Sequence, residues 1–198
     1  AGDSTNADTC TGTGGDGGDV RIVKAFKVKT PEDLEKAQAS IADMVLLDQG
    51  TKYLAILYLK GNSGIPLIDQ VLTLRYLENR GMAFGLLQNK ILFLVLVCMV
   101  FFAAIIYLFI KTPATVYYRP LLYTAAVVFS GAMGNFIDRV FRRYVVDFIY
   151  FSLIDFPTFN VADIYVTCGI AALVFLLFFR YREEDDFDFL KPGHKSAK

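Results

Sequence analysis

Two aspartates have the residue type and the setting for proton-transfer chemistry. Asp147 lies in the segment VVDF, and Asp163 ends the segment FNVAD just before a long apolar run. Carboxylates at membrane depth are costly and usually face a bundle interior or a watery cavity. Two carboxylates brought close together share one proton, so the neutral acid can donate to a carbonyl while the anion deprotonates water.

Asp163 is expected near the start of a helix. Pro157 lies a few residues upstream, and the apolar run continues over residues 164–179. The positive end of a helix favours a carboxylate. Asn160 would share a helical face with Asp163. Asp147 is expected on a loop or short helix on the same side of the membrane.

A second polar motif, GNFIDR, supplies Asn135, Asp138 and Arg139. Asn135 and Asp138 share a helical face, and the spacing of Asp138 and Arg142 suits an ion pair. Because Asn135, Arg139 and Arg142 could satisfy the Asp138 carboxylate, a structural role in joining helices also fits Asp138.

Three further polar residues have simpler interpretations. Asn79 begins NRGMAFG, where a turn preference explains it, although its side chain could also bind substrate backbone at a groove mouth. Asp48 and Lys52 lie four positions apart and are predicted to pair within one helix. Asp155 is predicted to be an exposed loop acid.

Other chemistries have little support in the sequence. His194 is the single histidine and lies in a polar tail, which argues against a histidine-based triad. Cys10, Cys98 and Cys168 have no CxxC spacing, so neither a zinc site nor a disulfide framework is predicted. The formal net charge is zero and the basic residues are scattered, which argues against a nucleic-acid binder.

The apolar runs predict a membrane protein with four spans. Residues 91–110 carry no charge and, at about 1.5 Å per residue, cover the roughly 30 Å hydrocarbon core. Residues 120–137 and 164–179 predict two more spans. A helix beginning at TPED and ending near Leu59 is predicted as a first span, which its internal charges compromise.

The flanking charges predict an orientation. Basic residues follow the second and fourth spans, and basic residues favour the cytoplasmic side. The N-terminus is then also inside, and segments 60–88 and 139–158 face the outside. Alternating apolar and polar residues in segment 60–88 predict a strand in a short sheet at the outer membrane surface.

Five motifs together resemble a known family. They are LDQGTK (47–52), ENRGMAFG (78–85), GAMGNFIDR (131–139), VVDF (145–148) and FNVAD (159–163). Their order and context resemble lipoprotein signal peptidase, also called signal peptidase II, of bacteria. The resemblance covers about residues 44–182. It implies an all-α integral membrane protein with four transmembrane helices and a small extracytoplasmic β-cradle.

The resemblance also implies an activity and its residues. It implies a membrane aspartyl endopeptidase that removes signal peptides from prolipoproteins by cleaving before a cysteine that carries a diacylglyceryl group. The catalytic aspartates would be Asp147 and Asp163, and no metal or organic cofactor is expected. The positions that match substrate-binding or polar support residues of the family are Asp48, Asn79, Asn135, Asp138, Arg139 and Asn160.

The same resemblance implies partners and a location. The partners are the lipid-modified prolipoprotein, membrane lipid and a globomycin-type inhibitor in the substrate groove, without nucleic acid, and we expect a monomer. The location is the bacterial cytoplasmic (inner) membrane, multi-pass, with the active site on the extracytoplasmic side. The alternative is a non-catalytic or transporter-like four-helix protein that uses its acids for proton relay or helix packing. The absence of sequence repeats and of interrupted spans argues against a transporter.

The two ends of the chain differ from its middle in composition. Residues 1–33 are predicted to be a flexible polar extension, and residues 34–182 the four-helix peptidase domain. Residues 183–198, which include EEDDFDF, are predicted to be a solvated cytoplasmic tail. The segment PEDLEKAQASIADM departs from the family, whose members usually have a long apolar stretch before the LDQxTK motif.

Overall fold

The computed structural model describes residues 31–81, 90–113, 115–182, 186–187 and 190. The elements in chain order are α1 (Pro31–Leu59), β1 (Ile65–Ile68), β2 (Leu72–Asn79), α2 (Ile91–Lys111), α3 (Arg119–Phe141), β3 (Val145–Phe151), a short 3-10 helix (Ser152–Ile154) and α4 (Val161–Phe179). Residues 1–30, residues 82–85 of the NRGMAFG motif, and His194 with most of the tail lie outside the described residues. The predicted division into three parts therefore stays a prediction.

Within the described ranges, three helices are long and apolar enough to cross a membrane: α2, α3 and α4. Large apolar side chains cover the outside of α2 and α4, as at Val100 and Phe178, and such a surface suits lipid. The described helix α1 is also long, but Asp43, Asp48 and Lys52 interrupt its apolar part. The prediction of four spans is therefore supported for three helices, and a span formed by α1 stays a prediction.

Glycines allow close packing of α3 against its neighbours. A Cβ added at Gly131 would overlap the main-chain oxygen of Ala162 in α4, and one added at Gly134 would overlap the Asp48 carboxylate in α1. The small residues therefore bring the backbones of three helices together at one end of the bundle, where the polar motifs lie.

The three strands form an antiparallel sheet with β2 in the centre. One face of the sheet packs against the end of α1 through a buried cluster of Ala55, Leu59, Val146 and Phe148. The predicted strand in segment 60–88 is confirmed as β2. The prediction that Asp147 lies on a loop or short helix is wrong, because VVDFIYF forms β3. Its β-branched and aromatic residues favour a strand.

The C-terminal tail contacts the bundle at Asp186. This residue is buried, and its Oδ1 accepts a hydrogen bond from the Tyr117 hydroxyl at 2.8 Å. Its main-chain oxygen accepts another from the Tyr118 hydroxyl at 2.8 Å. The prediction of a solvated tail is therefore wrong for Asp186, because two tyrosines before α3 offer it hydrogen-bond donors.

Candidate functional site

A cavity of about 960 Å³ is lined by residues of β2, β3, α3 and α4. Both predicted catalytic residues line it. Asp147 reaches it from β3, and Asp163 reaches it from the first turn of α4. The predicted position of Asp163 near the start of a helix is confirmed, and the sheet and the bundle present the two acids to one space.

Asn160 is hydrogen-bonded to both acids. It caps α4: its side-chain oxygen accepts from the Asp163 main-chain N–H at 3.0 Å, and the Asp163 carboxylate accepts from the Asn160 main-chain N–H at 3.1 Å. The Asn160 Nδ2 atom donates to Asp147 Oδ1 at 2.6 Å. The N-cap of one helix therefore fixes both carboxylates.

Two further asparagines each hold one acid. Asn79 Nδ2 donates to Asp147 Oδ2 at 2.9 Å. Asn135 Nδ2 donates to Asp163 Oδ1 at 2.8 Å. Each carboxylate thus accepts a hydrogen bond at both of its oxygens. The donor from β2 restricts the orientation of Asp147, and the donor from α3 restricts that of Asp163.

A buried group of charges lies behind the asparagines. Lys52 Nζ lies 2.8 Å from Asp48 Oδ2 and 3.3 Å from Asp138 Oδ2, and all three side chains are fully buried. Lys52 Nζ also donates to Asn135 Oδ1 at 2.9 Å. The predicted pairing of Asp48 with Lys52 is confirmed. Asp48 Oδ1 accepts from the Ala162 N–H at 3.0 Å, which ties α1 to the start of α4.

Asp138 is satisfied by one of the residues the sequence favoured and by others that it did not indicate. It pairs with Arg142 as predicted, and its Oδ2 accepts from the Val146 N–H at 3.0 Å. The prediction that Asn135 and Arg139 also satisfy it is wrong, because their polar groups point elsewhere. Arg139 donates to the main-chain oxygens of Asn135 at 3.2 Å and Gly81 at 3.4 Å.

All eight predicted site residues gather around the cavity. The residues that line it are Asn79, Asn135, Arg139, Asp147 and Asp163. Asn160 joins the two acids, and Asp48 and Asp138 lie just behind the cavity. Their roles stay predictions. Asp155 is exposed, as predicted, and accepts from the Tyr150 hydroxyl at 2.6 Å.

The sequence did not single out several other residues around the site. Gln49 Nε2 contacts Asp48 Oδ2 at 3.1 Å and Asp138 Oδ1 at 3.3 Å, and the only signal for it was its place within LDQGTK. Arg75 and Thr158 line the cavity together. Nothing in the sequence pairs these two residues, which lie on distant segments.

The environment changes the proton affinity of Asp147. Burial raises the pKa of this carboxyl to about 7, with a further contribution from the neighbouring charge of Asp163, while hydrogen bonds from Asn79 and Asn160 act in the opposite direction. A carboxyl with this pKa can hold a proton near neutral pH and give it to a substrate.

No group of three or more metal-ligating side chains occurs within the described segments. The polar residues that line the cavity are instead three carboxylates, two arginines, two asparagines and two threonines, and Asn160 is bonded to Asp147 and Asp163 beside it. This set offers hydrogen bonds and proton transfer, and the expectation that the site uses no metal stays a prediction.

Apolar helices of membrane length, with a cavity lined by polar side chains at one end of their bundle, define an integral membrane protein. Residues 40–179 match the family described as Signal peptidase (SPase) II. The chain belongs to this family, and it is therefore a membrane peptidase. The resemblance found from the motifs is confirmed.

Similar proteins and structures agree with this family. The chain is 46% identical over 141 residues to the lipoprotein signal peptidase of Caldanaerobacter subterraneus subsp. tengcongensis. The matched residues cover 71% of this chain and 94% of that protein. It is 42% identical to the lipoprotein signal peptidase of Clostridium novyi over 67% of this chain and 91% of that protein. A bacterial membrane enzyme solved by the in meso method has a TM-score of 0.67 and 30% identity, covering 83% of this chain and 96% of that one.

Proposed function

We propose that the chain is an aspartyl endopeptidase that removes signal peptides from diacylglyceryl-modified prolipoproteins by cleaving before the lipidated cysteine. Its relatives are lipoprotein signal peptidases, which supports this substrate class. The observation that carries the catalytic assignment is that Asn160 is hydrogen-bonded to both Asp147 and Asp163, which line the same cavity.

The surroundings of the acids suggest different roles. Asp163 lies at the positive end of α4, and both of its carboxylate oxygens accept hydrogen bonds, from Asn135 and from the Asn160 N–H. Asp147 is 1% exposed, and burial favours its neutral form. Asp163 is therefore assigned as the general base and Asp147 as the general acid.

The two roles complete one hydrolysis. Asp163 takes a proton from water as the water oxygen attacks the scissile carbonyl carbon, and Asp147 gives its proton to the carbonyl oxygen. The tetrahedral intermediate then returns that proton to Asp147 as the carbon–nitrogen bond breaks. The leaving nitrogen receives the proton that Asp163 holds, so both carboxyls regain their starting states.

The finer predictions on location and partners belong to the same proposal. The chain would act as a monomer in the inner membrane, with α1 as a fourth span and the cavity on the extracytoplasmic side. A globomycin-type inhibitor would occupy the cavity. The exposed apolar surfaces of α2 and α4 support lateral entry of acyl chains from the bilayer.

The test is a cleavage assay of the detergent-solubilised protein on a prolipoprotein with and without the diacylglyceryl group. Mass spectrometry of the product identifies the cleaved bond. The proposal predicts one cut before the lipidated cysteine and negligible cutting of the unmodified substrate. Equal cutting of both substrates, or a cut elsewhere, would contradict the proposed specificity.

A further inference from the structure

Arg75 lies at an irregularity in β2 beside the cavity. The register of β2 against β3 shifts between Leu74 and Leu77, and bulges of this kind re-aim side chains next to active sites. Leu74 packs against the apolar cluster under the sheet, whereas Arg75 lines the cavity that Asp147 and Asp163 also line. The bulge therefore accompanies an arginine that shares a space with the two acids.

Neighbouring side chains hold the Arg75 guanidinium in place. Its Nε donates to Thr158 Oγ1 at 2.9 Å, and its Cζ lies 3.4 Å from the centroid of the Tyr150 ring. The Tyr150 hydroxyl donates to Asp155, which fixes the ring beneath the guanidinium. A guanidinium held by stacking and one hydrogen bond is preorganised for a ligand, because less conformational freedom is lost on binding.

The guanidinium has donors left for a ligand. No carboxylate of the described residues lies within ion-pair distance of Arg75, whereas Arg80 pairs with Glu78 and Arg142 with Asp138. An arginine carries five N–H donors; Thr158 accepts from one of them, and the Tyr150 hydroxyl also interacts with the guanidinium, which leaves at least three. The remaining donors suit a carboxylate, which arginine binds through two parallel hydrogen bonds.

We propose that Arg75 is a specificity-determining residue that binds an acidic side chain of the substrate on the C-terminal side of the scissile bond. The inference rests on the peptidase function proposed above. A signal peptide has an apolar region before its cleavage site, which suits the apolar helices. The residues that reach the sheet are therefore those after the cleavage site.

The strand gives an approximate position for this acidic residue. Asn79, which contacts Asp147, lies at the end of β2 four residues after Arg75. Four residues correspond to roughly 13 Å of strand, and an extended substrate covers the same length with about four residues. The contact is therefore expected at the third or fourth residue after the scissile bond.

The test compares synthetic diacylglyceryl peptides that carry Asp, Asn or Lys at the third or fourth position after the cleavage site. The parent protein should have a roughly five-fold lower KM for the Asp peptide than for the Asn peptide. Arg75→Gln should abolish this difference, and Arg75→Glu should prefer the Lys peptide. Each ratio is measured within one preparation, so that any loss of folded protein cancels. Lys60→Gln, at a half-exposed lysine outside the cavity wall, should keep the parent's ratio.

The outcomes separate this inference from the proposed function. If Arg75→Gln keeps the parent's ratio of KM values while all peptides are cleaved, the inference is wrong and the peptidase function stands. If Arg75→Gln weakens cleavage of every peptide equally, and only in nanodiscs with anionic lipid, Arg75 contacts a lipid headgroup and the inference is again wrong. If the parent cleaves none of the peptides, both proposals are contradicted.

Discussion

Lys52 fixes the orientation of the Asn135 side chain. The Lys52 Nζ lies 2.9 Å from Asn135 Oδ1, and an ammonium group can only donate hydrogen bonds. The oxygen of the Asn135 amide must therefore face Lys52, which turns its Nδ2 towards Asp163 at 2.8 Å. A buried lysine on α1 thus acts on an acid of α4 through one asparagine of α3.

The first prediction concerns the stability that depends on Lys52. Lys52→Met leaves Asp48 and Asp138 without their shared cation in a fully buried setting, and losses of this kind cost about 3–5 kcal/mol. We expect a clearly lower thermal unfolding midpoint in detergent. The control is Lys60→Met, whose half-exposed pair with Glu78 contributes at most about 1 kcal/mol. Equal midpoints for the two variants would show that the buried charges do not stabilise the fold.

The second prediction concerns the pH dependence of activity. The proposed mechanism needs a proton on Asp147, whose pKa is raised to about 7 by burial and by the neighbouring Asp163 charge. We therefore expect kcat to fall as the pH rises through about 7. The measurement is kcat against pH with saturating lipid-modified peptide. A kcat that stays constant well above this pH would contradict the assignment of Asp147 as the acid.

The same pKa predicts a pH dependence of stability. The folded protein holds the Asp147 proton more tightly than the unfolded chain, whose pKa is near the ordinary 3.8. Between about pH 4 and about pH 7 the free energy of unfolding therefore decreases as the pH rises. Asp147→Asn removes the titrating carboxyl, so this decrease in the free energy of unfolding should be absent from the variant. Its unfolding midpoint relative to the parent should be higher at about pH 8 than at about pH 5.

The third prediction concerns the close approach of α3 to α1. A Cβ at Gly134 would overlap the Asp48 carboxylate, which Lys52 and the Ala162 N–H hold in place. We expect Gly134→Ala to lower both stability and activity. Gly50→Ala is the control, since no atom lies within 4 Å of a Cβ added there. Because Gly50 lies within a helix, Gly50→Ala should leave stability unchanged or raise it by up to about 1 kcal/mol.

The sequence located the acids but not the contacts that hold them. The motifs and apolar runs predicted α2, α3 and α4 and the position of Asp163, because a long apolar run and a proline are local signals. The strand around Asp147 was missed: its β-branched and aromatic residues favour a strand, but the pairing with β2 that fixes it joins distant segments of the chain. The bond from Lys52 to Asn135 joins residues 83 positions apart, and no local pattern predicts such a contact.

The fourth prediction separates two roles of Asn160. Asn160→Ser keeps an oxygen that can cap α4 but loses the Nδ2 that donates to Asp147. Asn160→Ala loses both. We expect both variants to lose activity, and the alanine variant to be less stable than the serine variant by about 1 kcal/mol. Unfolding midpoints and kcat values, measured together, check this. If Asn160→Ser is as active as the parent, the contact with Asp147 does not matter for catalysis.

The most direct measurement of the two-carboxylate claim is kcat for Asp147→Asn and Asp163→Asn on a diacylglyceryl-modified prolipoprotein. Asparagine keeps the size and polarity of each side chain but cannot serve as the acid or the base. Asp69→Asn, at an exposed acid in the turn between β1 and β2 and outside the cavity wall, is the matched control. We predict that each of the first two variants stays folded and loses at least about 100-fold in kcat, while the control retains the parent's activity. If either variant cleaves at the parent's rate, the assignment of these two aspartates as the catalytic pair is wrong.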